Sequence, residues 1–72
     1  MKAREMFENY GYKLIQDDCN WLIYDFEKKF KIMFYKPQQN FKIECLESIY
    51  NTIDVEELKA INKQIEELGW DE

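Results

Sequence analysis

Residues 54–72 read as a helix with both ends written into the sequence, and that element constrains what the rest of the chain must supply. Asp54 stands where an N-cap side chain accepts a backbone N–H, and Glu57 stands at N3, placed to return the bond. Ile53 and Leu58 occupy N′ and N4, the positions of a hydrophobic staple. Leu58, Ile61, Ile65 and Leu68 recur at helical spacing and predict the buried stripe. Gly69 and Trp70 close the helix: glycine suits the left-handed C′ position, and the tryptophan that follows is placed to fold back on Ile65. Asn62 and Gln64 have no structural reason in this scheme. A helix with one apolar stripe must lie on another layer, so the other residues have to provide it.

They do so with a second helix and a sheet. Ala3, Met6, Phe7 and Tyr10 share one helical face and predict a short helix over residues 2–10, which Gly11 and Tyr12 end as Gly69 and Trp70 end the other. The period then changes to two. Tyr12, Leu14 and Gln16 start a strand, and Asp17-Asp18-Cys19-Asn20 supplies turn chemistry. Residues 21–27 and 30–36 alternate as two clear strands joined by Glu27-Lys28-Lys29, a hairpin without the Asn-Gly signal. Pro37-Gln38-Gln39-Asn40 makes a second turn, and Phe41, Ile43 and Cys45 alternate with Lys42 and Glu44 in a last strand. Residues 46–53 fit either a further strand or a connecting loop. The expected fold is a single α+β domain over residues 1–72. It has a short N-terminal helix, a three- to four-stranded antiparallel meander and a C-terminal helix, with both helices on one sheet face. The opposite face would carry Lys31, Met33 and Tyr35 with either Trp21 and Ile23 or Tyr24.

A core this small is marginal, and large rings offset its size. Aromatic residues make up 17% of the chain, and each buried ring removes about 150–250 Å² from water. Not all twelve fit inside, so an exposed aromatic patch is one expectation. Charge is segregated: residues 54–72 hold seven acids against two lysines, whereas residues 1–53 hold eight of each sign. The whole net charge of −5 therefore lies at one end. That imbalance speaks against direct nucleic-acid binding, which needs a basic face, and for a basic protein partner.

The chemistry of sites is limited by what the chain lacks. It contains no histidine, the commonest general base and metal ligand near neutral pH. Cys19 and Cys45 lack the paired spacing of a zinc site and read as reduced structural thiols. Asp17, Asp18 and Asn20 lack the glycine and distal glutamate of a calcium loop. No glycine-rich phosphate loop is present. The expectation is no enzyme, no cofactor and no metal. No apolar run approaches the ~20 residues of a membrane span, and the N-terminal segment is amphipathic instead of signal-like, so a cytoplasmic protein is expected.

Two segments carry a resemblance. Ala3-Arg4-Glu5-Met6-Phe7-Glu8 with Gly11-Tyr12, and the run from Glu56-Glu57-Leu58 through Glu67-Leu68-Gly69-Trp70, resemble the ends of small phage and prophage proteins of Gram-positive bacteria. The likeness covers about a third of the chain and implies a mobile-element origin and an intracellular host setting. It implies no catalytic residues. Small acidic phage proteins often resemble inhibitors of host machinery, anti-CRISPR proteins among them. The leading expectation is therefore a non-enzymatic module that binds a basic host protein, including one that handles nucleic acid. Its contacts would be Glu56, Glu66, Glu67 and Asp71, with Trp70 as an anchor. Glu66 and Glu67 sit at the unfavourable end of the helix dipole, a hint that surface charge is selected there. The alternative is a self-associating phage accessory protein whose open sheet face or Trp70 surface forms a homodimer.

Overall fold

The computed structural model describes residues 1–45 and 52–70 of the chain. Helix α1 spans Ala3–Tyr10, and strands β1 (Lys13–Asp17), β2 (Trp21–Phe26), β3 (Phe30–Tyr35) and β4 (Asn40–Cys45) follow. Helix α2 spans Val55–Glu67. The strands form one antiparallel sheet in the order β1-β2-β3-β4, the expected meander. The connection expected over 46–53 lies largely outside the described residues, as do Tyr50 and Asp71.

Local chemistry explains the boundaries. Gly11 adopts φ 125°, Tyr12 donates its N–H to Phe7 O at 2.9 Å, and Gly11 donates to Glu8 O at 3.1 Å. This is a Schellman ending, and the Tyr12 ring meets Phe7 edge-on with centroids 5.4 Å apart. The same pair of bonds ends α2, from Trp70 N–H to Ile65 O at 3.1 Å and from Gly69 N–H to Glu66 O at 3.0 Å. Asp18 Oδ1 makes the first turn by accepting from Asn20 and Trp21 N–H. Glu27 and Lys28 both take left-handed φ, at 51° and 60°, as a type I′ turn demands even without Asn-Gly. Lys29 N–H closes that turn on Phe26 O at 2.9 Å.

Both helices pack on one sheet face. Leu22 and Tyr24 of β2 and Phe30, Ile32 and Phe34 of β3 form the core with Phe7 of α1 and Ala60 and Ile61 of α2. Phe7 stacks on Tyr24 at 4.0 Å, and Trp70 reaches Phe34 edge-on at 6.0 Å. The opposite face carries Trp21 and Ile23, paired with Tyr35 and Met33. The helices are antiparallel: Glu67 near the end of α2 accepts the Ala3 N–H at the start of α1, and Asp54 at the start of α2 accepts from Tyr10 at the end of α1.

One expectation is corrected. Leu58 was placed in the buried stripe of α2, but it is 50% exposed. Glu57, Ala60, Ile61 and Gln64 are the buried residues, with Ile65 and Leu68 packed at the margin. The reason is polar. Tyr12 and Tyr24 bring their hydroxyls under the helix, and a buried hydroxyl requires a partner. Gln64 Oε1 accepts from Tyr24 Oη at 2.7 Å, and Glu57 Oε2 accepts from Tyr12 Oη. The helix is turned to deliver these two acceptors, and Leu58 turns outward with them.

Candidate partner-binding surface

The acids of α2 divide into two groups. Asp54 and Glu57 build the capping box read from the sequence: Asp54 Oδ1 accepts from Glu57 N–H at 2.9 Å, and Glu57 Oε1 accepts from Asp54 N–H at 3.1 Å. Two phenols extend the box. Tyr10 donates to Asp54 Oδ2 and to Glu57 Oε1, the latter at 3.2 Å, and Tyr12 donates to Glu57 Oε2. The cluster borders a cleft of about 340 Å³ lined by Tyr10, Tyr12, Phe26, Phe30, Asp54 and Glu57.

The surroundings favour the protonated form of both phenols. The hydrogen bond to Asp54, then desolvation and the Glu57 charge, push the Tyr10 phenol well above its ordinary value. Burial, then the bond to Glu57 and its charge, push Tyr12 up in the same way. Asp54 is held below the usual carboxylate range by the Tyr10 bond and the Glu57 N–H. Phenols kept protonated donate hydrogen bonds and do not ionise near neutral pH, so the cluster offers no tyrosinate for chemistry. Tyr24, raised to about 12 by burial and then by the charge of Glu67, behaves alike.

Glu67 reaches back to α1 while staying exposed. Its Oε2 accepts the Ala3 N–H at 2.7 Å, so its carboxylate sits at the positive end of α1. The dipole penalty noted for Glu67 in α2 is thus offset at α1, a return invisible in the sequence. Glu56 and Glu66 are different. Their side chains are 69% and 63% exposed, and each lies beside a lysine, Lys59 at 3.6 Å and Lys63 at 3.4 Å. Exposed pairs of this kind contribute about 0–1 kcal/mol and exchange readily with a partner. Trp70 is half-buried against Phe34 and anchors the end of α2 to the core.

Sequence reasoning missed the apolar part of this surface. Val55 is 64% exposed and Leu58 50%, and they stand one helical turn apart. No local signal marks them, since Leu58 fits the buried stripe by spacing alone. On the open sheet face, Trp21 and Tyr35 touch at 4.7 Å with Lys42 over the indole, around a depression of about 330 Å³ that Met33 and Asn40 also line. Among the described residues no three metal-ligating side chains come together, and no helix is long and apolar enough to cross a membrane. No family model, curated protein or solved structure matches the chain.

Proposed function

We propose that the protein is a non-enzymatic binding module whose helix α2 docks on a basic protein partner. It would act as a phage or prophage inhibitor of host nucleic-acid-handling or defence machinery acts. The observation that carries this reading is the outward side of α2. Val55 and Leu58 expose apolar surface on the helix, and the Glu56 and Glu66 side chains are more than 60% exposed on the same element. Exposed apolar side chains together with exposed charge on one element are what a protein interface is built from. Glu56 and Glu66 lie ten residues apart, about 15 Å along the axis, so they can meet separate cations on a partner. The long-range field of the acidic end would speed encounter with a basic groove. Asp71 would extend that field, and Glu67, exposed although bonded to the Ala3 N–H, would add to it.

The test is affinity capture from host lysate at low and moderate salt, run with wild type, Glu56→Lys/Glu66→Lys and Leu58→Asp. The expected outcome is one basic protein held by wild type, weakened by salt and by charge reversal, and lost with Leu58→Asp. Equal capture of that protein by all three chains would remove α2 from the interface.

A further inference from the structure

The two edges of the sheet are built differently. Strand β1 carries a register shift at Ile15, between the pairs Leu14–Tyr24 and Gln16–Ile23, which twists and interrupts it. Strand β4 has no such device. Its six residues pair with β3 in unbroken register from Asn40–Tyr35 to Cys45–Phe30, and no described strand lies beyond it. It contains no proline, and two of its inner-face side chains are left partly open among the described residues. Phe41 and Ile43 lie on the helix side of the sheet, opposite Phe34 and Ile32, yet each is 41% exposed. A regular, flat edge with exposed apolar side chains is a template for another strand.

We propose that β4 pairs antiparallel with β4 of a second copy of this chain, joining two sheets into one of eight strands. The strand's own charges select the occupant. A two-fold axis normal to the sheet must pass through a residue facing its own copy. With the axis at Ile43, Lys42 of each chain faces Glu44 of the other, Ile43 faces Ile43, and Phe41 faces Cys45. Opposite charges meet on the open face and apolar groups meet on the helix side. Moving the axis to Lys42 or Glu44 sets like charges against each other, which is unfavourable in a cross-strand pair. Within one chain Lys42 and Glu44 are 3.8 Å apart and more than 40% exposed, so both are placed to re-pair across the edge. This pairing does not draw on the reading of α2.

The experiment is sedimentation equilibrium from about 1 µM to about 1 mM, the range in which a short edge contact should titrate. Wild type, Lys42→Glu and Glu44→Lys are run alone, and the two variants are then mixed in equal amounts. Circular dichroism checks that each is folded. Wild type should pass from monomer to dimer. Each variant alone should remain monomeric, since like charges then face across the axis. The mixture should form a heterodimer, because the Lys42→Glu chain presents two acids to the two lysines of the Glu44→Lys chain. A wild type that is monomeric throughout would overturn the proposal. So would a dimer that both variants preserve, which would place self-association on another surface such as Tyr35 or Trp70. Full amide protection along β4 in dilute monomer would also overturn it, by showing the edge already covered within one chain.

Discussion

Two sets of carboxylates on one helix do opposite work. Asp54, Glu57 and Glu67 are bonded within the chain, accepting from Tyr10, Tyr12 and the Ala3 N–H and tying the two helices together, although only Glu57 is buried. Glu56 and Glu66 are exposed and pair with lysines of the same helix. The residue type is the same in both sets. What differs is whether the partner is a neutral donor fixed by the fold or a lysine ammonium on the same helix. The lesson is that a charge count from sequence overstates the charge on offer to a partner, because part of it is committed to the fold.

The contrast should break first at Glu57. Replacing it with alanine leaves the buried Tyr12 hydroxyl without its acceptor and opens half of the capping box. The expected loss is about 3 kcal/mol in urea unfolding. Tyr24→Phe removes one neutral hydrogen bond, to Gln64, and should lose about 1 kcal/mol. Glu67→Ala takes a charged acceptor from a partly exposed N–H, with an expected loss of about 0.5–1 kcal/mol. If this variant unfolds as wild type does, Glu67 belongs with Glu56 and Glu66.

Alkaline titration sharpens the same division. Tyr12 and Tyr24 have folded-state values raised above the unfolded value of 10.0, to about 12 for Tyr24. Their contribution is therefore complete below about pH 10 and is lost as pH rises from there toward 12 and beyond. Stability measured across that window should fall steadily, with a shallower slope in Tyr12→Phe. At the acid end the depressed Asp54 works the other way: its contribution is present above the unfolded 3.8 and fades as pH falls below it.

Much of the fold was legible because its signals are local. Gly11-Tyr12 and Gly69-Trp70 announce their endings within five residues, and the Asp54–Glu57 box spans three. The alternation of residues 21–36 needs only period two, and a tight connection at Glu27-Lys28-Lys29 follows from it, whereas the left-handed turn conformation appears only in the fold. The rotation of α2 was not legible. It depends on hydroxyls from Tyr12 and Tyr24, which lie 45 and 40 residues away from their acceptors Glu57 and Gln64. Helical spacing alone favours Leu58 inside, and only the tertiary pairing of Glu57 and Gln64 overrides it. The bond from Glu67 to α1 was hidden for the same reason, since its donor is 64 residues away. For the surface, the acidic end was visible as composition, but which acids are bonded into the fold was settled by contacts the chain makes with itself.

The central claim is tested most directly by unfolding two variants side by side in urea at neutral pH: Glu57→Ala and Glu56→Gln/Glu66→Gln. The first should lose about 3 kcal/mol and the second should stay within about 0.5 kcal/mol of wild type. Similar losses in both would contradict the division of α2 into acids that hold the fold and acids left free for a partner.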